Sequence, residues 1–188
     1  MKVALIGSHG VGKTTLCFEL AARLKRRNVD VEIVREVARR CPLPINLETT
    51  ADAQEWILHT QISWEIEATS QHEAVLCDRS VLDNYCYLVH ATGSKPALEK
   101  LLDHWLPTYD LLVHVPIVTD PTFDGIRAVD PTFQRQIELL LDGMISARGL
   151  RPLRLTVGAR DAWPRTIIER LLPQVEPTLP LFPVDGDP

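Results

Sequence analysis

The sequence predicts an α/β domain built on a mostly parallel sheet of about five strands, with helices on both faces. Short apolar runs alternate with helical patterns along the chain, the signature of strands joined by helical crossovers. The first run, Val3-Ala4-Leu5-Ile6, leads straight into the glycine-rich stretch Gly7-Ser8-His9-Gly10-Val11-Gly12-Lys13-Thr14, which a helix follows. The 188 residues, 45% of them apolar, suffice for one sizeable core, and no repeat marks a second domain.

Taken in order, Thr14 to Arg27 has apolar residues at Leu16, Cys17, Leu20, Ala21 and Leu24, the helical spacing, and ends on Lys25-Arg26-Arg27, cations suited to a helix C-terminus. Asn28 and Asp30 supply a turn into an alternating strand, Val29 to Val34, which closes on Arg35-Glu36. Two prolines make Cys41 to Leu47 a loop. A helix over about Thr50 to Gln71 is predicted to bury Ala53, Ile57, Thr60, Trp64 and Ala68. Ala74 to Cys77 is a strand ending at Asp78-Arg79-Ser80. Val81 to His90 is a helix, Thr92 to Pro96 a surface turn, and Ala97 to Trp105 a short helix.

Leu111 to Val115 forms the next buried strand, and Thr119 to Pro131, with two Asp-Pro pairs, a mobile loop. Thr132 to Arg148 is helical, Leu153 to Val157 the last strand and Ala162 to Leu172 the last helix. The domain is expected to span 1–172, followed by a proline-rich tail, 173–188, that packs loosely or is disordered.

A formal charge of −5 offers no basic surface for a nucleic-acid polymer. Cys17, Cys41, Cys77 and Cys86 show no zinc-ligand spacing and read as reduced thiols of a cytoplasmic protein. The chain enters a core strand at once, which argues against a signal peptide, and its apolar runs are too short to cross a membrane.

The chemistry is expected at the carboxyl ends of the strands. The pattern GxxxxGK[ST] between a strand and a helix is a phosphate loop. Gly7, Gly10 and Gly12 permit left-handed angles, and the amides from Gly10 through Val11 to Thr15 can wrap a phosphate at the positive end of the helix. Lys13 adds a charge, and the Thr14 hydroxyl is placed to ligate Mg²⁺. His9 is expected to face solvent beside the phosphate.

Asp78, at the tip of an apolar strand, reads as the carboxylate that faces the metal through water; the alternative is a helix cap, for which Ser80 serves equally well. Arg79 projects toward the transferred phosphoryl or the acceptor, or else into solvent. Glu36 can orient or deprotonate an acceptor hydroxyl, or form a surface salt bridge among Arg35, Arg39 and Arg40. Gln61 and Glu65 share a helix face and could read polar groups of a small molecule, with solvation the alternative, favoured for Glu65. Trp56, Trp64, Tyr85 and Tyr87 could stack an aromatic acceptor, though such spacing equally suits a core. In the loop, Asp124-Gly125-Ile126-Arg127 places Arg127 to reach a γ-phosphate, with Arg135 behind it as a helix-surface charge.

In sequence order, Gly7 to Thr15, Val34-Arg35-Glu36-Val37-Ala38-Arg39, Ile57 with Gln61 and Glu65, Asp78-Arg79-Ser80 with Asp83 and Tyr87, and Asp124-Gly125 with Arg127 resemble a known group. That group is the AAA-type P-loop ATPase/kinase group that includes the nicotinamide riboside kinase module of NAD-biosynthesis regulators; the chain is more distantly similar to deoxynucleoside kinases. The resemblance implies ATP on Gly10 to Thr15, Mg²⁺ near Thr14 and Asp78, Glu36 near the acceptor and Arg127 as a lid arginine. It also implies a three-layer P-loop sandwich with strand order 2-3-1-4-5. His9 and Val11 depart from the riboside kinase modules, Arg-Ser after Asp78 is closer to deoxynucleoside kinases, and no adenylyltransferase domain or DNA-binding helix pair is present. The expected activity is an ATP- and Mg²⁺-dependent kinase of a small hydroxyl-bearing metabolite, a nucleoside or nucleotide. The alternative is an ATPase or nucleotide-dependent switch acting on a protein partner. Oligomeric state is left open, a homodimer included.

Overall fold

The computed structural model describes residues 1–45, 48–118 and 130–175. Five strands, β1 (Lys2–Ile6), β2 (Val31–Val34), β3 (Ala74–Asp78), β4 (Leu111–His114) and β5 (Leu153–Arg154), form one sheet. Its order is β2-β3-β1-β4-β5 and every pairing is parallel. Strands that run side by side in one direction need crossovers, and five helices supply them: α1 (Lys13–Lys25), α2 (Ala51–Gln71), α3 (Val81–Thr92), α4 (Pro96–Trp105) and α5 (Pro131–Ala147); α6 (Trp163–Val175) follows the last strand.

Alternation along β1 divides the interior in two. Val3 and Leu5 point into a core closed by α1 and α6, where Leu16, Leu20, Ile167 and Leu171 are buried. Ala4 and Ile6 point the other way, into a core shared by α2, α3, α4 and α5 with Leu58, Tyr85, Leu102 and Ile137. Both faces of the sheet are therefore covered, as the expected three-layer architecture requires.

Local chemistry fixes the helix starts. The Thr50 hydroxyl accepts from Ala53 N at 3.2 Å and begins α2. At α3, Ser80 Oγ accepts from Leu82 N at 3.0 Å while Asp83 Oδ2 accepts from Ser80 N at 2.9 Å, a reciprocal cap. Asp78 is thereby released from capping.

Several elements differ from the sequence reading. The buried face of α2 runs through Ala53, Ile57, Leu58, Gln61, Glu65 and Ala68, not through Thr60 and Trp64. The polar pair turns inward because Lys2, Trp105 and Tyr109 await it there, as described below. A 3₁₀ turn, Val37–Arg40, follows β2. The last strand is two residues long, because the chain leaves the sheet after Arg154 for a 3₁₀ segment, Val157–Ala162. Helix α6 continues through Pro173 to Val175. The expected tail from 176 onward lies outside the described residues. Among the described residues no helix is long and apolar enough to cross a membrane.

Candidate functional site

Because all strands are parallel, the segments after β1, β2 and β3 emerge at one edge, and there Gly7–Thr14, Glu36 and Asp78-Arg79 come together. One small cleft is lined by His9, Gly10, Val11, Gly12, Lys13, Thr14, Glu36, Asp78 and Arg79.

The glycine loop has a fixed half and an open half. Gly7 N donates to Asp83 Oδ1 at 2.8 Å and Ser8 N to Glu138 Oε2 at 3.1 Å. Lys13 Nζ donates to the carbonyls of Gly7 at 2.7 Å and Ser8 at 2.6 Å, and Gln134 Nε2 donates to the His9 carbonyl at 2.7 Å. Beyond His9, the amides of Gly10, Val11 and Gly12 have no acceptor among the described residues. Gly12, at φ +95°, turns the chain into α1, whose first amides also lack helical acceptors. The result is a run of free N–H groups at a helix N-terminus, an anion cradle.

Lys13 is buried, and burial, followed by the charge of Arg79, pulls its ammonium down to about 8 against the pull of Asp83, Asp78 and Glu36. Thr14 Oγ1 donates to Asp78 Oδ2 at 2.5 Å. Burial raises the Asp78 carboxyl above its ordinary range, despite Lys13 and Thr14. A desolvated carboxylate touching a hydroxyl offers two hard oxygen donors, a donor set that fits Mg²⁺ completed by phosphate oxygens and water.

Glu36 and Arg79 form a buried ion pair. Arg79 Nη2 lies 2.8 Å and Nε 2.9 Å from Glu36 Oε1, and the two side chains are 7% and 9% exposed. Arg39 Nε holds the other oxygen of Glu36 at 2.9 Å. The surface salt bridge considered from sequence is thus half present, with Arg39 but with a buried glutamate. Arg79 has φ +114°, a conformation that side chains seldom adopt, and its guanidinium lies 4.8 Å from the Tyr87 ring. Its neighbour Ser80 caps α3, so the strained turn aims Arg79 back across the sheet edge toward Glu36.

Other expected residues fall elsewhere. His9 is buried rather than facing solvent: its ring centre sits 5.2 Å from that of Phe133, and its Nδ1 is 3.0 Å from the Tyr87 hydroxyl. Gln61 is fully buried behind the cleft, donating to Glu65 Oε1 at 2.8 Å and to the Arg79 carbonyl at 3.3 Å. It braces the Arg79 turn and does not line the cleft. Glu65 is not solvated: it accepts from Lys2 Nζ at 2.9 Å, Trp105 Nε1 at 2.8 Å and Tyr109 OH at 2.7 Å. Thr15 and Arg135 are exposed, and Arg127 lies outside the described residues. Arg160 escaped the sequence reading: a Cβ on Gly12 would stand 3.5 Å from its Nη2. The available signal was a basic residue soon after the last strand, at the edge where the loop opens. Among the described residues no group of three or more His, Cys, Asp or Glu could hold a metal alone.

A parallel sheet whose first strand opens into free amides, a buried lysine and a threonine paired with a strand-end aspartate defines a P-loop nucleotide-binding fold. The chain belongs to the AAA domain family, whose model matches residues 2–161. Among solved structures it is similar to deoxyadenosine kinase from M. mycoides, with a TM-score of 0.63 and 16% identity over 91% of this chain and 98% of that one. One such structure carries the products dCMP and a flexible dCDP, and another, with the same figures, bound dATP. Identity that low establishes a shared fold. No curated protein matches the chain.

Proposed function

We propose that this protein is an ATP- and Mg²⁺-dependent phosphotransferase acting on a small hydroxyl-bearing metabolite, a nucleoside or nucleotide. The observation that carries the reading is the buried Glu36–Arg79 pair at the mouth of the phosphate loop. A carboxylate and a guanidinium held together beside the cradle are what an incoming hydroxyl and a migrating phosphoryl group need. The similarity of fold to a deoxyadenosine kinase supports the same reading.

In this reading the amides of Gly10 to Thr15 hold the triphosphate. Lys13 exchanges its two loop carbonyls for phosphate oxygens. Thr14 and Asp78 hold Mg²⁺, which neutralises charge on the β- and γ-oxygens when bound. Arg79 faces the transferring group. Glu36 accepts the hydrogen bond of the acceptor hydroxyl and so aims its oxygen at phosphorus. The new oxygen–phosphorus bond forms as the bond to the β,γ-bridging oxygen breaks, and the hydroxyl proton leaves through Glu36 to solvent. A carboxylate held in place by Arg79 and Arg39 has a fixed direction, which suits a loose transition state that needs aim more than proton abstraction. Arg127 is assigned the lid role on the resemblance alone.

One observation favours the second reading, ATP hydrolysis in a switch that acts on a protein partner. The cleft has about 10 Å³ of free volume, room for roughly one water. The test is to incubate purified protein with ATP, Mg²⁺ and a panel of nucleosides and nucleotides, following phosphorylated product and free phosphate separately. Acceptor-dependent product supports the kinase; free phosphate that no acceptor alters overturns it in favour of the switch.

A further inference from the structure

We propose that Glu138 and Gln134, on one face of α5, are positioning residues that set the phosphate loop for its triphosphate. This rests on the reading that Gly10 to Thr15 hold that group. Neither residue lines the cleft, and neither carries a motif that sequence reasoning would select.

The two side chains lie one helical turn apart and grip consecutive loop residues. Glu138 Oε2 takes the Ser8 amide at 3.1 Å, and Gln134 Nε2, buried, donates to the His9 carbonyl at 2.7 Å. Phe133, the neighbour of Gln134, packs its ring on His9. A single helix therefore holds the Ser8–His9 stretch by a carboxylate, a carboxamide and a ring. The next amide along the chain, that of Gly10, is the first of the free run. Fixing Ser8 and His9 fixes the direction in which those amides open.

A carboxylate beside an anion site needs a counterweight, and β4 and β5 supply it. Glu138 Oε1 lies 2.6 Å from His114 Nε2, and Arg154 Nη1 lies 3.3 Å from His114 Nδ1. A guanidinium can only donate, so Nδ1 is the acceptor and Nε2 carries the proton given to Glu138. Asp142 Oδ1 holds the same guanidinium at 2.9 Å. Arg154 reaches His114 because β5 pairs them in register, which gives the two-residue strand a purpose. Burial opposes the charge of Glu138, yet His114 and the Ser8 amide outweigh it and hold the carboxyl below its usual range. The line Arg154, His114, Glu138, Ser8 thus delivers an anchored negative charge to a loop amide from outside the cleft.

Calorimetric titration with ATP and Mg²⁺ at a temperature where every variant is folded tests this, together with hydrogen exchange of the Ser8 amide without nucleotide. Glu138→Gln presents an NH₂ to one of two donors, so affinity is expected to fall about tenfold, one charge-assisted hydrogen bond, and Ser8 to exchange at least as much faster. Gln134→Ala, which leaves Glu138 in place, is expected to weaken binding about threefold. Failure of the wild-type protein to take up ATP overturns the underlying reading and leaves the Ser8 exchange to judge Glu138. Wild-type uptake with unchanged affinity in both variants, or with only a lowered Tm, overturns the positioning role. Should Glu138→Gln not fold, unchanged affinity in Gln134→Ala does so alone.

Discussion

Glu36 and Arg79, 43 residues apart in the chain, meet at 2.8 Å between the ends of β2 and β3, both nearly sealed from solvent. Their contact joins the two segments that frame the cleft, and it sets what each substitution there does. Glu36→Gln keeps the shape and one acceptor oxygen but removes a charge from the buried pair and presents an NH₂ to one of its arginines, so some stability is expected to be lost while ATP affinity changes little. Phosphoryl transfer is expected to fall by about 10² to 10⁴, the usual worth of a positioned acid–base group. Arg79→Ala goes further: it strips the buried Glu36 carboxylate of the Arg79 guanidinium altogether, at a cost of about 3–5 kcal/mol. Denaturant unfolding separates the two, and an Arg79→Ala protein as stable as wild type would sink the account.

Lys13 gives a pH signature. From an ordinary 10.5, burial and then Arg79 lower it to about 8. Between pH 8 and 10.5 the unfolded chain keeps a proton that the folded chain has released, so stability from this group rises with pH there; below pH 8 both states hold it and the folded state bears the full cost of a buried ammonium. A bound triphosphate favours the charged form and lifts the pKa. Nucleotide binding at pH 8.5 is therefore expected to take up a fraction of a proton, and at pH 6.5 none through Lys13. Titrations in two buffers of different ionisation enthalpy measure it; zero uptake at pH 8.5 contradicts the burial of a charged Lys13.

How much of this was legible beforehand follows from which forces act locally. The loop was readable because Gly7, Gly10, Gly12, Lys13 and Thr14 are required by backbone geometry, and Asp78 because Ala74 to Cys77 announce a buried strand that must end. The fold followed from alternation, and the sheet order came with the resemblance. Glu65 was not readable, since Lys2, Trp105 and Tyr109, its partners beyond its own helix, arrive from distant parts of the chain and turn a helix face inward against its polarity. Gln61 went with it. The Glu138 grip was hidden for the same reason: its contact with Ser8 spans 130 residues. Arg79 was placed at the right edge, but its positive φ and its pairing with Glu36 are tertiary facts.

Glu65 offers a stability test away from the cleft. It is fully buried and balances Lys2, whose ammonium also sits 4.4 Å from the Trp105 ring centre and 4.5 Å from that of Tyr109. Glu65→Ala leaves Lys2 buried against two rings without its carboxylate and is expected to cost about 3–5 kcal/mol. Glu65→Gln keeps one oxygen, and with it the acceptor for two of the four donors, and should cost less. Urea unfolding midpoints give the order, and equal midpoints would show the network to be dispensable.

Gly7 tests whether the loop must lie where it does. Its φ is +146°, and a Cβ there would stand 2.5 Å from the Val115 carbonyl oxygen, a backbone atom that cannot swing aside. Gly7→Ala must therefore move either the loop or the end of β4. Moving the loop lengthens the Gly7 amide bond to Asp83 and the Lys13 bond to the Gly7 carbonyl together, so strain of about 1–3 kcal/mol is expected to appear as lost ATP affinity as well as lost stability. Gly93 is the control: its φ is +81° and a Cβ there meets nothing within 4 Å. Gly93→Ala carries the backbone cost alone and, far from the cleft, should lower Tm without touching nucleotide affinity. If both alanines lower Tm and neither changes affinity, the close packing of Gly7 on Val115 serves the fold and not the cradle.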